Sequence, residues 1–77
     1  MFSIQLMFET YIKGSFRGWR NRETLFEFGN GQVWRQNEYL YEYKYKYRPK
    51  AKVFQDVGTY YLEVEGMNKK IKVKKVK

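Results

Sequence analysis

Residues 39–47 read YLYEYKYKY, with a tyrosine at every second position. Successive side chains of a β-strand point to opposite faces, so this spacing collects five rings on one face: Tyr39, Tyr41, Tyr43, Tyr45 and Tyr47. A helix advances about 200° every two residues and would scatter the same rings around its axis. The stretch therefore predicts a strand with one aromatic face and one mostly charged face.

Further strands are predicted on both sides of this stretch. The tight-turn signal Gly29-Asn30-Gly31 joins two apolar runs, residues 24–28 and 32–36, into a hairpin. Pro49 ends the tyrosine strand because proline has no N–H to donate to a ladder. Alternating apolar residues predict strands at 50–55, 59–65 and 70–74, and a first strand that starts at Phe2, Ile4 and Leu6.

The pattern as a whole predicts an all-β protein. No apolar period of 3.6 residues persists, so no substantial helix is expected. Five to seven short antiparallel strands in 77 residues indicate one domain over residues 1–77, with a Lys-rich strand or tail at 69–77. A barrel leaves few open edges, and we expect an SH3-like barrel. An OB-like barrel is the alternative that the pattern leaves open.

Several spaced motifs carry a resemblance to a family. GSFRGW occupies residues 14–19, TLFEF residues 24–28 and NGQVWRQ residues 30–36, and the alternating tyrosines then lead to Arg48-Pro49. This series resembles an uncharacterised small prokaryotic β-domain family with G-x-F-x-G-W, N-G-Q-x-W-x-Q and alternating-Tyr strand motifs. The resemblance covers about residues 9–65 and leaves the Lys-rich end outside. It implies a β-domain and no particular activity or ligand.

The composition argues against an enzyme. The chain has no cysteine and no histidine, the usual general base, and neither Ser3 nor Ser15 has a histidine to activate it. Asp56, Glu63 and Glu65 lack the spacing of metal ligands. We therefore predict no catalytic residues, no metal and no cofactor. The absence of cysteine suits a reducing cytoplasm.

The N-terminus and the rest of the chain give no membrane signal. MFSIQLMFE has no basic region before its short apolar run, so no signal peptide is expected. No stretch approaches the roughly 20 apolar residues of a membrane span. We therefore expect no membrane partner.

The net charge of +8 is unevenly distributed. Residues 1–66 hold ten Lys and Arg against eight Asp and Glu, a net +2, whereas residues 67–77 hold six Lys and no acid, a net +6. Single-stranded nucleic acids are held by basic grooves with aromatic stacking platforms. Nucleic acid is thus one predicted partner. The ring candidates are Trp19, Trp34 and exposed tyrosines, and the phosphate candidates are Arg17, Arg20, Arg22, Arg35, Lys44, Lys46, Arg48, Lys72 and Lys74.

Each of these features also has a purely structural interpretation. Five tyrosines on one strand face are typical of a barrel wall, and Trp34 in a hairpin strand is typical of a core. Trp19, in an arginine-rich loop, is compatible with packing and with exposure. The lysines of residues 70–74 can protect an edge strand from aggregation. If the tyrosines were exposed, the patch would instead favour a protein partner or a homodimer.

Overall fold

The computed structural model describes residues 4–77, so Phe2 lies outside the described residues. These residues contain eight strands and no helix. The strands are β1 (Gln5–Tyr11), β2 (Ser15–Phe16), β3 (Leu25–Glu27), β4 (Val33–Gln36), β5 (Lys46–Tyr47), β6 (Lys50–Asp56), β7 (Thr59–Val64) and β8 (Ile71–Lys75). The all-β prediction is confirmed. The strand number exceeds the expected five to seven because β2 and β5 are separate two-residue strands.

Six strands form one antiparallel sheet in the order β1-β6-β7-β8-β4-β3, and β2 pairs with β5 in a second small sheet. The two outermost strands of the large sheet approach each other just beyond their ends. Ile12 bridges Phe28 there, the Lys13 N–H donates to the Glu27 carbonyl at 2.8 Å, and the Gly29 N–H donates to the Tyr11 carbonyl at 2.9 Å. The backbone groups at this point are thus partly satisfied across the two edges.

The core lies against the inner face of the six-stranded sheet. Alternation along β6, β7 and β8 turns small and branched residues inward, among them Val53, Leu62, Val64, Ile71 and Val73. Aromatic rings cover them in edge-to-face and tilted pairs, with centroids 5.2–6.2 Å apart. Such geometry suits the ring quadrupole, and the large rings compensate for the short chain.

The predicted hairpin turn at Gly29-Asn30-Gly31 is confirmed, and a second turn joins β6 to β7. The Gly31 N–H donates to the Phe28 carbonyl at 3.0 Å and closes the turn between β3 and β4, with Gly31 at φ +90°. Val57 and Gly58 form the turn between β6 and β7, with φ +48° and +78°. Glycine adopts such angles at little cost, whereas a β-branched side chain is strained there.

The expectation that the C-terminal lysines protect a sheet edge is wrong. β8 lies between β7 and β4, in the interior of the large sheet. Its Ile71 and Val73 are buried as predicted, and Lys72 and Lys74 alternate with them toward solvent. The alternation that made these residues a strand also places their charges outside, whatever the position of the strand in the sheet.

The prediction of one continuous strand over residues 39–47 is also wrong. Only Lys46–Tyr47 belongs to a ladder, opposite Ser15–Phe16, and Glu42 forms a single bridge with Trp19. The pairing register shifts by one residue between these two contacts. The extra residue lies between Glu42 and Lys46, since these four steps face only three steps from Phe16 to Trp19, and Gly18, at φ +88°, lies opposite this irregularity.

Gly31→Val should destabilise the hairpin of β3 and β4. No side chain obstructs a Cβ at this position, so the cost comes from the backbone angle alone. We expect the free energy of unfolding to fall by about 1–2 kcal/mol, the cost of a left-handed conformation for an L-residue. Thermal melting measures it, with Gly31→Asn as the milder control because asparagine tolerates this region. An unchanged melting temperature would contradict the turn assignment.

Val57→Asn should have the opposite effect. Val57 is 80% exposed and holds φ +48°, so it makes little packing that could offset the strain. Asn-Gly is the preferred pair for such a turn. We expect a gain of about 1 kcal/mol, which raises the melting temperature of a small domain by roughly 4–8 °C. Val57→Ile keeps the β-branch and should give no gain, and a lower melting temperature for Val57→Asn would refute the argument.

Candidate nucleic-acid interface

All five rings of residues 39–47, hereafter the tyrosine segment, point to solvent. Their exposed fractions are 53–70%. Three of the four alternate residues are partly covered: Leu40 packs against the core, and Glu42 and Lys46 are half-buried, whereas Lys44 is exposed. The interpretation of the tyrosines as a barrel wall is therefore wrong, because their side chains are exposed and do not belong to the core cluster.

Backbone contacts with residues 14–19 hold the tyrosine segment in place. Glu42 and Trp19 exchange two N–H···O=C bonds of 2.9 Å each, and the Arg48 N–H donates to the Gly14 carbonyl at 2.8 Å. Gly18 packs directly on this backbone: a Cβ there would collide with the Glu42 carbonyl and lie 2.8 Å from the Lys44 nitrogen. Only glycine permits both this approach and the positive φ.

A buried side chain, Gln36, links the loop before β3 to the start of the tyrosine segment. Its Oε1 accepts from the Arg20 N–H at 2.8 Å. Its Nε2 donates to the carbonyls of Arg20, of Glu38 at 2.9 Å and of Leu40 at 3.1 Å. The side chain is fully buried. Sequence reasoning missed it, although its position two residues after the inward-facing Trp34 already placed a polar group in the core.

Trp19 does not offer a stacking surface. Its side chain is fully buried and packs edge-to-face on Phe16 at 5.5 Å and on Phe26 at 5.8 Å between centroids. The inclusion of Trp19 among residues that contact a base is therefore corrected: its ring faces are occupied by the core. Trp34 is buried as predicted, and its Nε1 donates to Gln32 Oε1 at 2.8 Å.

Five of the predicted phosphate contacts lie around the tyrosine segment. Arg17 and Arg20 are exposed in the loop that pairs with it. Lys44 is exposed and its Nζ donates to the Gly66 carbonyl at 2.8 Å, and the half-buried Lys46 packs its stem on Gly66. The guanidinium of Arg48 lies 4.8 Å from the Tyr11 ring centroid, a cation–π contact that leaves the arginine exposed.

The remaining predicted contacts belong to other surfaces. Arg35 and Lys74 are cross-strand neighbours on the outer face of the six-stranded sheet. Lys72 lies two residues before Lys74 in β8 and therefore on the same face. Arg22 is exposed in the turn before β3. The structure thus divides the candidates into a group at the tyrosine segment and a group on the outer face of the sheet.

An open groove of about 510 Å³ adjoins the tyrosine segment. It lies between residues 12–20 and β3. Its lining includes Ser15, Phe16, Arg17, Arg20, Leu25 and Phe26. The Ser15 hydroxyl is 3.2 Å from the Tyr45 hydroxyl, so Ser15 borders both surfaces. At the end of the groove Lys13 pairs with Glu27 at 3.5 Å.

Two other kinds of site are absent from the described residues. Residues 4–77 contain no cluster of three or more His, Cys, Asp or Glu side chains placed to hold a metal ion. No helix in this range is long and apolar enough to cross a membrane.

Comparison with known proteins adds no relative. No protein family model matches the chain, and neither a curated protein nor a solved structure shows significant similarity to it. The resemblance to the small β-domain family therefore stays a prediction.

Gln36→Leu should destabilise the fold strongly. The substitution leaves the Arg20 N–H and three carbonyls without their partner, and each buried unsatisfied group costs about 1–3 kcal/mol. We expect the free energy of unfolding to fall by about 3 kcal/mol or more, measured by urea denaturation. Gln5→Leu, at an exposed position of β1, is the control and should change little. Equal stabilities of the two variants would contradict this role of Gln36.

Proposed function

We propose that this chain is a small binding domain that holds single-stranded nucleic acid on the tyrosine segment. The observation that carries the proposal is the exposure of all five rings at alternate positions of one short segment. Rings that face solvent in a row are available for stacking, and each base stacked on an aromatic side chain contributes about 1–3 kcal/mol. A chain without cysteine or histidine suits a role in binding without catalysis.

The spacing of the rings favours a single strand over a duplex. Alternate residues of a fully extended chain are about 6.6–6.8 Å apart, which is the upper limit for this segment, since only Lys46–Tyr47 of it belongs to a strand. Stacked bases in a duplex are about 3.4 Å apart and present their edges, not their faces, to a protein. An unstacked strand can extend until each base meets one ring, so the tyrosine segment matches a single strand better.

Cations at the border of the segment support the same ligand. Arg17, Lys44 and Arg48 are exposed beside the rings, and Arg20 follows in the same loop. Neutralising phosphates releases counterions, so the affinity should fall steeply with salt. The outer-face group of Arg35, Lys72 and Lys74 adds long-range attraction rather than contacts.

We also propose that the fold is an SH3-like barrel. The pairing of Ile12 with Phe28 supports this, because it brings the first and last strands of the six-stranded sheet together. Small barrels commonly bind their ligands on one side of the surface. In such a barrel, β2 and β5 would lie over one end.

The test compares ring removal with hydroxyl removal. Tyr41→Ser with Tyr43→Ser deletes two stacking surfaces, whereas Tyr41→Phe with Tyr43→Phe keeps the rings. Fluorescence anisotropy with labelled single-stranded DNA, RNA and duplex DNA, each at about 50 and 200 mM salt, measures the affinities. We expect the serine variant to lose about 5-fold to 150-fold per ring and the phenylalanine variant to bind as the parent does. Absence of binding by the parent chain to every strand would overturn the proposal.

Self-association is the second candidate, and the same exposure supports it. Five neighbouring rings form a patch of the kind that monomers seldom expose, and β5 has only one neighbouring strand. Sedimentation equilibrium over a wide concentration range tests it. A saturable dimer that the serine variant abolishes, and that persists at high salt, would favour a protein interface over nucleic acid.

A further inference from the structure

We propose that the groove beside the tyrosine segment is a subsite for one nucleobase, with Arg17 and Arg20 on the phosphates that flank it. This inference rests on the proposed function. It adds a place where one base of the bound nucleic acid is inserted into a groove, whereas the other bases stack on the surface. It predicts that one position of a bound strand contributes more to affinity than its neighbours do.

The groove continues the surface of the tyrosine segment. Ser15 lines the groove, and its hydroxyl lies 3.2 Å from that of Tyr45. Ser15 is also the register partner of Tyr47 in the small sheet. A nucleic-acid strand that follows the rings toward Tyr47 therefore reaches the groove at Ser15.

The walls of the groove suit a flat, largely apolar group. Phe16 and Phe26, 2% and 3% exposed, reach the groove only with the edges of their rings and form its floor, and Leu25, 58% exposed, stands at its side as the apolar surface that a base can contact. The volume of about 510 Å³ falls in the range of about 300–1,000 Å³ that is usual for ligand sites. A base that leaves the stack can bury its faces against such walls.

The charges at the groove favour a ligand with phosphates. Glu27 is the one acidic side chain among the lining residues, and Lys13 already pairs with it at 3.5 Å. Arg17 and Arg20 therefore leave the rim with an excess positive charge. Guanidinium groups bind phosphate oxygens through paired hydrogen bonds. A neutral apolar ligand would use the walls and leave these two charges unused.

The loop that carries both arginines is fixed before any ligand binds. Gln36 holds the Arg20 N–H and carbonyl, and Trp19, between the two arginines, exchanges two backbone bonds with Glu42. Little further ordering of the backbone is then needed on binding, which preserves affinity.

The experiment combines variants with a strand that lacks one base. Leu25→Trp fills the groove from an exposed position, and Arg17→Ala with Arg20→Ala removes the rim charges. Arg22→Ala is the matched control, since Arg22 lies in the same loop but does not line the groove. The probe is a short labelled oligothymidylate, used intact and as a series in which a single abasic site occupies each position in turn. Fluorescence anisotropy measures the affinities, and thermal melting checks that each variant is folded.

For the parent chain we expect one abasic position to weaken binding by about 5-fold to 150-fold, the loss of one base contact. Leu25→Trp should weaken the intact strand by a similar factor and remove the sensitivity to that position, because two changes to one contact are not additive. The double arginine variant should bind less tightly than Arg22→Ala.

Three results would overturn the inference. The first is an affinity of Leu25→Trp for the intact oligonucleotide equal to that of the parent. The second is an equal loss of affinity at every abasic position. In both cases the loss of affinity on ring removal in the tyrosine segment would leave the proposed function standing. Absence of strand binding by the parent chain would instead overturn the proposed function together with this subsite.

Discussion

The buried carboxamide of Gln36 fixes the relation between the two parts of this molecule. It lies on the inner face of β4, yet its four hydrogen bonds go to residues outside the six-stranded sheet: the backbone of Arg20 and the carbonyls of Glu38 and Leu40. A buried amide must satisfy both its oxygen and its nitrogen, so this side chain admits few arrangements of the chain around it. The position of the loop and the start of the tyrosine segment follow from that requirement.

The orientation of the tyrosines is a consequence of the same arrangement. Leu40 is tied to Gln36 through its carbonyl and packs its side chain against the core, so its neighbours Tyr39 and Tyr41 face outward. The core already contains the rings of Trp19 and Phe16, which pack edge-to-face on each other, and the five tyrosines lie outside it. The segment thereby exposes a large aromatic surface that the core does not use, and the proposed binding function is argued from this excess.

Local sequence patterns predicted local structure well. The Asn30-Gly31 turn, the inward Ile71 and Val73 and the burial of Trp34 follow from turn chemistry and from the two-residue period of a strand. The same period identifies the two faces of residues 39–47 but not which one meets the core, because that depends on the distant Trp19 and Gln36. The interior position of β8 likewise depends on β4 and β7, which its own sequence does not specify. The groove arises where residues 12–20 and β3 diverge, and no single motif encodes that separation.

The interior position of β8 also constrains the order in which this chain can fold. β8 joins the half of the sheet formed by β1, β6 and β7 to the half formed by β4 and β3. Until residues 71–75 have been synthesised and have left the ribosome, β4 and β7 lack their shared neighbour and present bare backbone edges. The six-stranded sheet can therefore be completed only after residue 75 has been synthesised. The six lysines of residues 69–77 arrive together with β8 and then have a second consequence: their mutual repulsion keeps newly synthesised chains apart until β8 has paired with those edges.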